Sequence, residues 1–130
     1  MRKFGLAIGL VIIITTQAAA STRAERFEHS LEKLSPIERL VQLCDYTAMK
    51  KIGQANHAFR PDRAVGDARA STVVAKDTVA AKGAAFRSHG KWYELSYTCT
   101  GTPDHMKVLS FDYRVGSEIP EAKWTSYNLW

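Results

Sequence analysis

Ala84-Ala85-Phe86-Arg87-Ser88-His89-Gly90-Lys91-Trp92-Tyr93-Glu94-Leu95-Ser96-Tyr97-Thr98-Cys99-Thr100 is the stretch that decides the fold. Aromatic and aliphatic residues alternate with polar ones on both sides of His89-Gly90, the period of a half-buried strand. Glycine at the second centre of a two-residue turn suits a hairpin, and histidine tolerates the left-handed conformation better than most residues. If those two residues are the turn, Arg87 faces Trp92, Phe86 faces Tyr93 and Ala84 faces Leu95. Phe86, Tyr93, Leu95, Tyr97 and Cys99 then share one face.

The pattern continues downstream. After a loop, Gly101-Thr102-Pro103-Asp104-His105, the run Met106 to Val115 places Leu109, Phe111, Tyr113 and Val115 in alternation with more polar residues. Pairing Thr100 with Met106 puts Tyr97 opposite Leu109, Leu95 opposite Phe111 and Tyr93 opposite Tyr113, all on the same apolar face. Upstream, residues 63–70 and 71–79 read as two weaker strands, preceded by a loop over residues 54–61.

A helix precedes the strands. Ser35-Pro36-Ile37-Glu38 combines a capping serine, proline at the first helical position and a glutamate three residues after the cap. Ile37, Leu40, Val41, Cys44 and Ala48 recur at steps of three and four, and Gly53 supplies a stop. Cys44 therefore lies on the buried stripe of the helix, as Cys99 lies on the apolar face of the hairpin. Two separate periodicities bring both sulfurs to one helix-on-sheet contact. The expected architecture is α+β: one long N-terminal helix packed on an antiparallel sheet of about four strands, with a short C-terminal helical segment near Pro120–Trp124 and one disulfide. Residues 21–34 form a flexible or frayed helical lead-in, and residues 35–130 one globular domain.

The beginning of the chain belongs to another category. Met1-Arg2-Lys3, an apolar run from Phe4 to Ile14, and Thr15-Thr16-Gln17-Ala18-Ala19-Ala20 have the layout of a secretory signal peptide. Ala18 and Ala20 are the small residues of its cleavage site, with cleavage after Ala20 and alternatives after Ala18 or Ala24. The apolar run is about 11 residues, against the roughly 20 that a spanning helix requires. Export places the protein in the periplasm or outside the cell, where Cys44 and Cys99 can pair. Their loop of about 56 residues makes the bond worth on the order of 4 kcal/mol.

The chain carries 18 Lys and Arg against 13 Asp and Glu, a net charge of +5. Loss of Arg2 and Lys3 with the leader leaves a mildly basic mature domain. Seven basic residues against three acidic ones fall between residues 60 and 91. This concentration suits anionic envelope glycans or a solvated edge, and the compartment argues against nucleic acid as a partner.

Several segments resemble a known family. Ser35-Pro36-Ile37-Glu38-Arg39-Leu40 with Cys44, Gly83-Ala84-Ala85-Phe86-Arg87-Ser88, Lys91-Trp92-Tyr93, Tyr97-Thr98-Cys99, Lys107-Val108-Leu109-Ser110-Phe111, and Ile119-Pro120-Glu121 through Trp130 are similar to domain of unknown function family 930. That family is seen mainly in alphaproteobacteria, and the similarity covers roughly residues 34–130. The resemblance implies an exported, cysteine-bridged domain and carries no activity with it.

Few constellations suggest chemistry. Ser30-x-x-Lys33 matches the serine and lysine of acyl-enzymes, but the partner motifs are absent, so a charged helix segment is expected. His29, His57, His89 and His105 have no ligand spacing. His89 and His105 stand at opposite ends of one strand, roughly 30 Å apart. No metal, cofactor or catalytic residue is assigned, and the histidines are expected at turns and on the surface. The outer face of the sheet is the candidate binding patch. In the register above, Trp92 stands between Arg87 and Arg114, and Glu94 lies opposite Asp112. This arrangement offers an aromatic platform with cation–π contacts, suited to a sugar ring or a charged side chain. The two carboxylates could also stand at the separation of a retaining glycosidase pair, although adjacent arginines would keep both ionised. Trp124, Tyr127 and Trp130 are expected to fold back on the domain.

The functional expectation is a non-enzymatic cell-envelope interaction protein, with a partner protein or a glycan as ligand. A peptidoglycan binder or inhibitor of wall-cleaving enzymes comes second, and a small hydrolase third. After leader removal no membrane span remains. Intact-mass measurement of the exported protein is expected to find the deficit of about 2 Da that accompanies one disulfide; two free thiols would overturn the helix-on-sheet arrangement.

Overall fold

The computed structural model describes residues 21–130. The signal peptide expected over residues 1–20, with Ala18 and Ala20, lies outside the described residues. Helices α1 (Arg23–Glu32) and α2 (Pro36–Ala55) lead into five strands: β1 (Pro61–Val65), β2 (Val73–Ala75), β3 (Thr78–Ser88), β4 (Lys91–Gly101) and β5 (Val108–Glu118). Two short 3-10 turns, Glu121–Lys123 and Thr125–Tyr127, follow. The sheet is antiparallel in the order β1-β3-β4-β5, with β2 pairing the far end of β3.

The N-terminal lead-in is a helix in its own right, which corrects the expectation of one long helix. The Thr22 hydroxyl accepts the Glu25 N–H at 3.2 Å, and the Glu25 carboxylate accepts the Thr22 N–H at 2.6 Å. At α2 the Glu38 carboxylate accepts from the Ser35 backbone at 3.2 Å and from its hydroxyl at 2.6 Å. Each box satisfies amide donors that the first turn leaves open. Arg39 then ties the junction together. Its guanidinium donates to the carbonyls of Leu31 and Leu34 at 3.1 Å and of Asp104 at 3.0 Å.

Leu40, Cys44, Ala48 and Ile52 of α2 pack on Phe86, Leu95, Tyr97 and Cys99 of the sheet. Ile37, expected on this stripe, is 61% exposed in the first turn. Cys44 and Cys99 are bonded, with their Cα atoms 6.0 Å apart.

His89 (φ 51°) and Gly90 (φ 75°) form the β3–β4 turn, and the three expected pairs, Arg87–Trp92, Phe86–Tyr93 and Ala84–Leu95, are present. The weaker strands differ. β1 ends at Val65, and the second segment divides at a turn through Lys76 (φ 54°) into β2 and the beginning of β3.

The β4–β5 register is displaced by four residues from the expected one: Tyr97 faces Tyr113, Leu95 faces Val115 and Cys99 faces Phe111. An even displacement keeps every side chain on its own face, so apolar alternation cannot distinguish the two registers. The loop makes the difference. The Asp104 carboxylate accepts from the Thr102 hydroxyl at 2.6 Å and the Met106 N–H at 3.1 Å, and Thr102 N–H donates to the Lys107 carbonyl at 2.8 Å. His105, expected as a turn or surface residue, is buried with φ 58°. Its Nδ1 reaches the Pro36 carbonyl at 2.7 Å and its Nε2 the Asp77 carboxylate at 2.9 Å. The loop therefore extends to Lys107, and Leu109 falls at the bulge where pairing resumes, 66% exposed.

A second, smaller core occupies the opposite face near the hairpin turn. Trp92, Ala85, Ile119 and Leu129 are buried together there, with Trp124 and Tyr127 packed against them. Trp92 Nε1–H donates to the Trp130 backbone oxygen at 3.1 Å, and Trp124 Nε1–H to the Ile119 carbonyl at 2.9 Å. The aromatic tail thus turns back over the sheet, and of its aromatic residues only Trp130 is largely exposed, at 62%. Trp92→Ala is expected to lower unfolding stability by about 3–5 kcal/mol, the usual cost of emptying a fully buried tryptophan site. Urea unfolding measures it; a loss under about 1 kcal/mol would show that the tail does not seal this face.

Candidate functional site

The five residues of the expected outer-face patch do not line one concavity. Trp92 has 0% exposure and serves the second core instead of presenting a platform. Arg87 does sit beside it, with Cζ 5.9 Å from the ring centroid, but its donors are engaged elsewhere. They meet Asp62 through two bonds of 3.0 and 2.9 Å and the Trp130 backbone oxygen at 3.0 Å. This pairing holds the Asp62 carboxyl below its ordinary range. The displaced register carries Arg114 to Ser96 and Asp112 to Thr98, so Arg114 does not face Trp92 and Asp112 does not oppose Glu94. Glu94 pairs instead with Arg69 at 3.5 Å. Arg69 also donates to the carbonyls of Ala84 and Leu95, at 3.1 and 3.3 Å, beside the irregularity in β3. Asp112 and Arg114 remain on the open outer face.

A groove of about 600 Å³ lies on the other side, between α1, α2 and the end of β1. Phe27 of α1 and Tyr46 of α2 stack at 3.9 Å between ring centroids with planes 23° apart. With Val41 and Met49 they make an apolar wall, while Asp45, Gly66 and Asp67 supply a polar, acidic side. Asp45 is placed there by helical spacing, since it follows Val41 by four residues and precedes Ala48 by three. It is only 6% exposed, and its Oδ1 accepts the Tyr97 hydroxyl at 2.7 Å.

Burial pushes the Asp45 carboxyl up from 3.8 to about 6; the charge of Asp67 adds to this, and hydrogen bonds from Tyr97 and the Gly66 backbone oppose it. The Tyr97 phenol is likewise raised above its ordinary value, first by burial and then by the carboxylate beside it. Gly66 permits the close approach. A Cβ there would stand 3.1 Å from the Tyr97 hydroxyl and 3.2 Å from Asp45 Oδ1. The groove thus offers acceptors beside an aromatic surface, with Arg63 and Asp62 also along its lining. Arg63 places Cζ 4.5 Å from the Trp130 ring centroid. Among the described residues no group of three or more His, Cys, Asp or Glu is arranged to hold a metal ion.

Sequence reasoning passed over Asp45. The available signal was an acidic residue in step with the buried stripe, since a buried aspartate ordinarily requires a partner. Tyr97 was expected only as a core side chain, and its hydroxyl went unassigned.

The sign of the pH effect follows from the raised Asp45 value. The folded protein holds this proton more tightly than the unfolded chain, so the contribution is lost as pH rises from about 4 to about 6. The loss amounts to about 3 kcal/mol. Carboxyls held low, such as those of Asp62 and Asp104, act in the opposite direction. The difference between wild type and Asp45→Asn is therefore the informative quantity. In urea unfolding the variant is expected to gain on wild type by about 2–3 kcal/mol between pH 4 and pH 7; parallel curves would contradict the placement of this carboxyl.

No curated protein and no solved structure matches the chain. No helix among the described residues is long and apolar enough to cross a membrane. A match over residues 31–129, spanning both cores and the groove except Phe27, places the chain in the family described as Domain of Unknown Function (DUF930).

Proposed function

We propose that this chain is an exported, non-enzymatic interaction protein of the cell envelope that receives its ligand in the groove between α2 and β1. The leader pattern of residues 1–20 and the paired cysteines support export. One observation carries the choice of site: an aspartate is kept in the groove wall although its burial costs stability at neutral pH. An apolar side chain on that stripe would avoid the cost, so the carboxylate fits a role beyond folding.

The ligand that suits the groove lays an apolar or sugar-ring face on Phe27 and Tyr46 and turns hydrogen-bond donors toward Asp45 and Asp67. A wall glycan meets both requirements, and so does a cationic side chain of an envelope protein. The potential nucleophiles of the lining are the Tyr46 and Thr72 hydroxyls and three carboxylates, with no imidazole beside a hydroxyl to activate it. The raised value at Asp45, with Asp67 nearby, supports hydrolysis as the second reading, since a carboxyl near 6 can act as an acid.

Titration of the exported protein with soluble peptidoglycan fragments and with lysine-rich peptides, followed by amide NMR shifts, tests the site. Binding is expected to shift groove resonances and to weaken about tenfold or more in Tyr46→Ala and Asp45→Asn, while Arg114→Ala leaves it unchanged. Absence of shifts with both ligand classes would remove this site. Turnover of a fragment that is lost in Asp45→Asn would establish the hydrolase instead.

A further inference from the structure

The outer edge of β5 is open along its centre. From Ser110 to Val115 the strand keeps unbroken register with β4, between irregularities near its two ends. Among the described residues no strand pairs with its other edge. Protein edges are commonly blunted by proline, charged side chains (lysine above all), a bulge or a covering element. The opposite edge follows that rule: β1 begins at Pro61 and has a register break between Pro61 and Arg63. The centre of β5 has no proline, no lysine and no bulge, and its two charges, Asp112 and Arg114, are of opposite sign, so they repel a partner edge in some registers and attract it in one.

We propose that this edge pairs antiparallel with the same edge of a second copy of the chain, about a two-fold axis at Tyr113. The charges select the register. Centred on Tyr113, Asp112 of each copy stands opposite Arg114 of the other, giving two opposite-charge pairs. Sliding by two residues in one direction opposes Asp112 to Asp112, and in the other direction Arg114 to Arg114. Sliding by one opposes inner-face residues to outer-face residues.

The inner face agrees with this register. Phe111 meets Val115 of the second copy, and Tyr113 meets its own equivalent. Tyr97, Phe111 and Tyr113 already form a row with centroid spacings of 5.2 and 5.9 Å, and its last members are only half-buried at the edge. Pairing would continue that row and cover its open end. The contact is isologous, so assembly closes at two copies. Because the groove adjoins β1 at the other edge of the sheet, both copies keep it accessible.

Sedimentation of the exported protein from about 10 μM to about 1 mM tests the pairing. Weight-average mass is expected to rise with concentration toward twice that of the monomer. Asp112→Arg and Arg114→Asp are each expected to weaken association by about tenfold or more, and the charge-swapped double variant to restore it to within about threefold. Both positions are exposed, and circular dichroism checks that the variants remain folded. A monomer at every concentration would overturn the proposal. Association insensitive to the single reversals, or a double variant that fails to regain it, would overturn it as well.

Discussion

The bond between Cys44 and Cys99 joins the middle of α2 to the apolar side of β4, and the neighbouring side chains take their places from that contact. Asp45 follows Cys44 in the helix, and Tyr97 lies two residues before Cys99 on the same strand face. A covalent link and a 2.7 Å hydrogen bond therefore connect the same two elements side by side. A buried carboxylate favours any opening that admits water. The disulfide opposes separation of helix and strand, which helps keep the groove wall formed while Asp45 is charged.

The sheet is covered on both faces, but unequally. Under α2 the core is large and mostly aliphatic and aromatic. Behind the hairpin turn a compact cluster built on Trp92 is sealed by the tail after β5. Polar anchors define the border of this second core: Arg87 holds Asp62 and the backbone at Trp130, and Arg69 fills the irregular part of β3 while meeting Glu94. Two of the seven basic residues between 60 and 91, Arg69 and Arg87, are thus engaged in fixing backbone and neutralising carboxylates. Asp112 and Arg114 lie beyond the tail on the uncovered part of the outer face.

Local chemistry made much of this legible. His89-Gly90 could serve one turn type and thereby set three residue pairs correctly, while the Ser35 box located the start of α2 and the two periodicities brought the cysteines together. Long-range information was missing where the reading failed. Alternation has a period of two, so it could not detect a four-residue displacement created by the hydrogen bonds of residues 102–107 and buried His105. Trp92 looked exposed because its face is opposite the main core; the aromatic tail is expected from sequence to fold back, but no local pattern says that it lands on this face. Asp45 shows a different limit: its position on the buried stripe was readable, but the partner that accounts for it, Tyr97, is 52 residues away.

All three tryptophans of the chain, Trp92, Trp124 and Trp130, gather around the tail-side cluster, whereas the helix-facing core and the groove contain phenylalanine and tyrosine. The protein consequently carries a spatially selective optical label. Its indole emission reports whether the last dozen residues are seated, and events at the α2–β1 cleft reach that signal through Arg63, which lines the cleft and stands over the Trp130 ring. Tyrosine absorbance, by contrast, is weighted toward the side of the molecule where the buried acid resides.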